Sequence, residues 1–133
     1  MKLILDTNSL FSFFWRGSLV TKLLLKEHEL CSPEFALEEL DKHKSEICKK
    51  TKLSSSEFEE FKTRLKNAVR FIAFSGYSDK IPEAFELLPE HPKDIDFLAL
   101  SLKISAALVS DDKELLKQSK VEIFNKSRLS ELL

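Results

Sequence analysis

Glycine and proline are scarce in this chain, two and four residues among 133, so its elements must be joined by short polar turns rather than by flexible or rigid linkers. Internal repeats and low-complexity tracts are absent, which excludes a repeat architecture. Cysteine is nearly absent too. Cys31 and Cys48 form no metal-ligand spacing with each other or with His28, His43 and His91; they are expected as buried or idle thiols, without a disulfide. No apolar run approaches the roughly 20 residues of a membrane span, and the stretch before Asp6 is too short for a signal peptide. A cytoplasmic location away from membranes is therefore expected. An excess of cations is also missing: 21 Lys and Arg stand against 22 Asp and Glu, a formal net charge of -1. That balance argues against a protein coating nucleic acid by bulk electrostatics. It permits an enzyme in which acids hold a metal and local basic residues hold phosphates.

What is present is patterned hydrophobicity, 43% of residues against 32% charged, the balance of an ordinary globular protein with room for one domain over residues 1–133. Leu3-Ile4-Leu5 reads as a short buried strand ending at Asp6. Ser9 to Lys26 reads as mostly helical, with a break near Gly17, and Glu29 to Ser32 as a second strand. Pro33 is expected to open a helix running to about Lys50. A further helix follows Ser54, with Ser56 and Glu59 at capping-box spacing. Phe58, Phe61, Leu65, Ala68 and Ile72 recur along it at helical intervals, although Arg70 to Phe74 can equally be a strand. Helices over Ile81–Leu88 and from Pro92 to about Ile104 precede a buried strand at Ala107–Ser110. A helix from Asp112 to Gln118, a strand at Val121–Phe124 and a short C-terminal helix complete the chain. Strands alternating with helices imply an α/β domain, a three-layer α/β/α sandwich around a central, mainly parallel sheet.

In such a sheet ligands bind beyond the carboxyl ends of the strands. Asp6 and the pair Asp111-Asp112 stand at two such ends. Each could simply cap the following helix. Asp111, with Glu114 three residues on, has the capping-box spacing, which leaves Asp112 free for the cleft. Glu38 and Glu39 lie on the helix after Pro33. Glu39 falls at the flank of the apolar face made by Ala36, Leu40 and Ile47, and Glu38 opposite it. The helix after Pro92 is apolar nearly all round, as a buried helix is. Asp96 shares its polar side with Lys103 and reads as a solvated first-turn acid. Asp94 points the other way, above Leu98 and Ser101, and lacks that explanation.

Leu3 to Leu10, an apolar strand ending in Asp6-Thr7-Asn8, resembles the opening of a PIN domain. Pro33 to Leu40, closing on Glu39-Leu40, is similar to that family's second motif. Asp94 to Ser101 is similar to its third, and Leu108 to Asp112 to its fourth. The resemblance runs from Lys2 to about Phe124. It implies that Asp6, Glu39, Asp94 and Asp112 form an acidic quartet holding Mg²⁺ or Mn²⁺, with Asp96 as an outer ligand, and that Asn8 and Ser110 position a ligand or water. It implies a metal-dependent endoribonuclease acting on single-stranded RNA, of the kind often found as the toxin of a toxin–antitoxin pair, with an antitoxin protein as partner; the chain's size and the aromatic cluster before Gly17 lead to the expectation of a homodimer. Ser101 replaces the alanine common in the third motif, and each doubled acid leaves its neighbour as the alternative ligand.

Hard cations on carboxylates suit phosphodiester hydrolysis, and four carboxylates in one cleft repel unless a metal or a proton intervenes. No histidine is required, and all three are expected at the surface. Substrate contact is expected from Lys42, Lys44, Lys49, Lys50, Lys52, Arg64, Lys66 and Arg70. Phe13, Phe14 and Trp15 are expected in core or interface packing, with base stacking as the alternative. An aspartyl phosphatase would want a second Asp where Asn8 stands, and a phospho-receiver lacks its early acid pair here. A non-catalytic PIN-like RNA-binding or assembly module remains as the second reading, and a metal titration separates it from the enzyme.

Overall fold

Leu3, Ile4 and Leu5 have no solvent exposure, and the strand they form, β1 (Lys2–Leu5), is the middle of the sheet. Around it lie β2 (Glu29–Pro33), β3 (Arg70–Ile72), β4 (Ala107–Val109) and β5 (Ile123–Phe124). The order is β3-β2-β1-β4-β5 and every pair is parallel. A central parallel strand is covered on both faces, which is why its sequence is continuously apolar rather than alternating. The computed structural model describes residues 1–15 and 18–133.

The helices are α1 (Thr7–Phe11), α2 (Leu19–Leu25), α3 (Phe35–Lys42), α4 (Lys44–Thr51), α5 (Ser55–Ala68), α6 (Ile81–Leu87) and α7 (Pro92–Ile104). Right-handed crossovers that step from β1 to β2 to β3 put α1–α5 on one face; the return from β3 to β4 puts α6 and α7 on the other. The result is the three-layer α/β/α sandwich. Helix α7 touches β1, β2 and β4 and buries Ile95, Phe97, Leu98, Ala99 and Leu100. Among the described residues no helix is long and apolar enough to cross a membrane.

Several boundaries depart from the sequence reading. The first helical stretch begins earlier, at Thr7, because Asp6 caps it, and passes into a 3-10 turn at Ser12–Phe14. The break expected near Gly17 lies outside the described residues. Pro33 ends β2 instead of opening a helix, and the helix expected to reach Lys50 is two, parted at His43, whose ring packs edge-on against Phe11 at 5.4 Å. The capping box of α5 is Ser54 with Glu57; Glu59 is engaged instead by Lys44 at 2.7 Å. The segment after Asp112 is a 3-10 helix (Lys113–Lys117), and so is the C-terminal one (Lys126–Glu131). Phe14 stacks on Phe58 at 4.8 Å and Phe13 sits edge-on to Phe61 at 6.1 Å, so these rings tie the first helical segment to α5, and Trp15 alone of the three is exposed. Cys31 is buried and Cys48 partly buried, both as free thiols.

Candidate active site

The strand order reverses between β1 and β4, since the chain leaves β1 toward β2 on one side and returns to β4 on the other. A crevice opens at the carboxyl ends of two such strands. The pairing of Leu5 with Val109 brings the next residues, Asp6 and Ser110, side by side. Ser110 is 2% exposed. Its hydroxyl donates to Asp6 Oδ2 at 2.6 Å and accepts from the Asp112 backbone N–H at 3.1 Å. One small hydroxyl thus links the acid after β1 to the acid after β4. The other Asp6 oxygen, Oδ1, accepts from the Ser9 N–H at 2.8 Å, so Asp6 caps α1 and faces the crevice at once.

The crevice is a cleft of about 570 Å³ lined by Asp6, Asn8, Glu34, Glu38, Glu39, Asp94, Asp96 and Asp112, with Lys93 and the aromatic residues Phe35, Phe74, Tyr77 and Phe97. All four acids of the expected quartet therefore reach one space, and so do their neighbours Glu38 and Asp96. Asp111 does not line it. Its Oδ1 accepts from the Lys126 N–H at 2.6 Å, and the cap expected of Asp111 is made by Asp112, which accepts from the Glu114 N–H at 3.0 Å. Capping and facing the cleft are compatible for Asp112 because the two carboxylate oxygens are separate acceptors: Oδ1 caps, and Oδ2 meets Lys93 Nζ at 3.3 Å.

Asp94 is the most deeply placed, 7% exposed, and its Oδ2 is buried without a hydrogen-bond partner. Desolvation first, then the neighbouring Asp112 carboxylate, push its pKa up to about 7. Burial pulls Asp112 in the same direction, but its contacts with Asp94, the Glu114 N–H and the Lys93 ammonium outweigh that and hold it below the ordinary carboxylate range. Asp94 therefore keeps its proton up to near neutrality while Asp112 stays ionised. Asp96 is not the solvated acid expected: it is half-buried, and the Tyr77 hydroxyl donates to its Oδ2 at 2.6 Å. Burial and then this bond push the Tyr77 phenol up. Glu39 is half-buried, its side chain 31% exposed and within 3.4 Å of Lys42, whereas Glu38 is exposed.

Asp6, Glu39, Asp94 and Asp112 are hard oxygen donors, the kind that Mg²⁺ or Mn²⁺ takes, and the partnerless Asp94 oxygen is an acceptor awaiting a cation or a donor. By chemistry alone such a donor set suits a divalent ion. Among the described residues no three His, Cys, Asp or Glu converge closely enough to close a coordination sphere, and like charges gain nothing by converging with no cation between them.

The basic residues expected to meet substrate do not line the cleft. Lys42, Lys44, Lys50 and Arg64 engage glutamates on their own helices or the next, and Arg70 lies with Lys2 and Lys103 at a separate cavity. Among the described residues the cation lining the cleft is Lys93. Its place beside Asp94 in the first turn of α7 was a readable signal; Glu34, Phe74 and Tyr77 gave none, because only the fold carries them here. The histidines lie half-exposed at the surface, each with a partner. His91 meets Glu114 at 2.7 Å, His28 Nε2 bonds the Leu132 carbonyl at 2.8 Å, and His43 packs on Phe11.

A family model of the PIN domain matches residues 4–130. The chain belongs to the PIN domain family. Among solved structures it is similar to VapBC2 from Rickettsia felis bound to a DNA fragment from their promoter, with a TM-score of 0.69 and 15% sequence identity over 94% of this chain and 98% of that one. At that identity the likeness is one of fold. No curated protein matches the chain in sequence.

Proposed function

We propose that residues 1–133 form a single nuclease domain, a Mg²⁺- or Mn²⁺-dependent endoribonuclease that hydrolyses phosphodiester bonds of single-stranded RNA. The observation that supports it most is Asp94: a buried carboxyl with one partnerless oxygen, facing a cleft shared with Asp6 and Asp112 at the switch point of a parallel sheet. Burying an unpartnered polar atom costs stability, and such a cost is kept where a ligand completes the site. Asp6, Glu39, Asp94 and Asp112 would hold the cation, with Asp96 as an outer contact. Bound there, the ion supplies positive charge to the scissile phosphate and lowers the pKa of water.

The chain's own groups do the rest. Ser110 fixes the orientation of Asp6 and the backbone at Asp112. Asn8, exposed at the rim, offers an amide to phosphate or water. Lys93 pairs with Asp112 at 3.3 Å and, lining the cleft, would be placed to meet a substrate phosphate. The reading extends to a cytoplasmic toxin of a toxin–antitoxin pair, its cleft covered by an antitoxin protein; the likeness of fold to VapBC2 supports that partner. It also includes a homodimer, for which exposed Trp15 and Leu25, 40% and 78% accessible, offer apolar surface.

The test is direct. Purified protein with Mn²⁺ or Mg²⁺ should cut an unstructured RNA and spare a duplex, and EDTA should stop the cleavage. Equal cutting in EDTA rules out the metal-dependent mechanism.

A further inference from the structure

The acids do not fill the cleft alone. Along another part of its wall stand Phe74, Tyr77 and Phe35, and they differ in access. Tyr77 is 1% exposed and spends its hydroxyl on Asp96. Phe74 is 58% exposed, an apolar ring open to solvent at the mouth of a polar cleft. It is also held in place. Its ring lies 5.5 Å from that of Tyr77 at an interplanar angle of 78°, a favourable edge-to-face arrangement. Its backbone is fixed in a 3-10 turn, Phe74–Gly76, closed by the Gly76 N–H to the Ala73 carbonyl at 2.8 Å and the Tyr77 N–H to the Phe74 carbonyl at 3.1 Å. Gly76 permits that turn, since a Cβ there would come within 2.7 Å of Ile72 Cγ2.

We propose that Phe74 is the stacking platform of a nucleobase subsite beside the acidic centre, taking one unpaired base next to the scissile phosphate. The inference rests on the nuclease reading above and adds a residue that selects single strands. Charge favours it. The cleft's described lining carries seven carboxylates against one lysine, so a polyanion gains little there by electrostatics even after a divalent ion binds. The base is the uncharged part of the substrate, and stacking attracts it without adding charge to the cleft. A base stacked on a protein ring is withdrawn from its own helix, which gives preference for unpaired RNA a structural origin. Phe35, half-buried and edge-on to Phe97 at 5.3 Å, backs the same wall.

The experiment measures binding, with Ca²⁺ replacing the catalytic ion, of a short unstructured RNA carrying 2-aminopurine at one position at a time. The intact protein should quench the probe at one position. Phe74→Ala should abolish that quenching and weaken binding about ten-fold or more, and Phe74→Trp should restore both. RNA made abasic at that position should bind the intact protein and Phe74→Ala equally. Thermal melts of Phe74→Ala confirm its fold, which the ring's exposure leaves intact. Cleavage by wild-type protein together with unchanged binding by Phe74→Ala overturns the subsite and leaves the nuclease reading standing. Absence of RNA binding and cleavage by wild-type protein overturns both. Weaker binding of an arginine-rich peptide, with RNA binding unchanged, would assign the ring to a protein partner and overturn the proposal.

Discussion

At Asp94 burial and a neighbouring carboxylate act in the same direction, and the pH behaviour of the metal-free protein follows. Its folded pKa of about 7 lies above the roughly 3.9 of an unfolded Asp. The folded state therefore holds a proton that the unfolded chain has released, and stability from this group falls as pH rises from about 4 to about 7, then levels. Asparagine at this position has nothing to ionise. In EDTA, Asp94→Asn should melt close to wild type near pH 4.5 and above it at pH 7.5, by an amount on the order of 2–4 kcal/mol; an equal gap at both pH values would show that Asp94 is not held protonated. A second residue-scale expectation concerns the paired glutamates. Both reach the cleft, but Glu39 is half-buried and restrained by Lys42, whereas Glu38 is exposed and can retract into water. Glu39→Gln should therefore cost RNA cleavage an order of magnitude or more, and Glu38→Gln much less, in matched initial-rate assays. The reverse ranking would move the ligand to Glu38.

Among the elements, what was legible in the sequence tracks how local the cause is. β1 and β4 were readable because full burial leaves uninterrupted apolar runs, each followed within two residues by an acid. Helix phase and loop position rank Glu39, Asp94 and Asp112 ahead of their neighbours, yet Glu38 and Asp96 line the same cleft; Asp111 alone lies outside the lining, and the cap expected of it is made by Asp112. Two adjacent acids before a helix carry the same local signal, and the tie is broken by Lys126, distant in sequence, which occupies Asp111. At the parting of α3 from α4 the His43 ring packs against a ring from α1, a contact distant in sequence, and Lys93, Phe74 and Tyr77 enter the cleft through tertiary packing. Shortage of glycine also shapes the helix ends. α4 and α7 finish on Lys52 and Ser105 in the left-handed conformation, at φ 60° and 55°, where glycine is the usual residue. Ser105 is exposed, so nothing is lost from packing by removing its side chain. Ser105→Gly should raise stability by about 0.5–1 kcal/mol, a rise of about 2–4 °C in a thermal melt. An unchanged or lower melting point would mean that the serine carries no backbone strain.

For the whole molecule, the cleft is a place where folding and metal binding are coupled. Carboxylates gathered at a sheet's switch point repel one another, and a divalent cation that binds only the folded state raises stability by linkage, about 2.7 kcal/mol at a hundred times its dissociation constant. Wild-type protein should thus melt higher in Mn²⁺ than in EDTA. Substitutions at the two acids after β4 divide that gain from the rest of the fold. Asp112→Asn keeps an oxygen that can accept from the Glu114 N–H, since asparagine caps as well as aspartate; it relieves Asp94 of a neighbouring charge but gives up the ion pair with Lys93, and its metal-free melting point should stay close to that of wild type. Asp111→Ala removes the acceptor that ties Lys126 to the loop after β4 and should melt lower than wild type in EDTA. In Mn²⁺ the order of the gains should reverse: Asp111→Ala should rise as far as wild type does, because Asp111 lies outside the cleft lining, whereas Asp112→Asn should rise little. A full Mn²⁺ gain in Asp112→Asn would remove Asp112 from the ligand set. A gain lost in Asp111→Ala would exchange the roles of the two residues, and no gain in wild-type protein would favour a non-catalytic module over the nuclease.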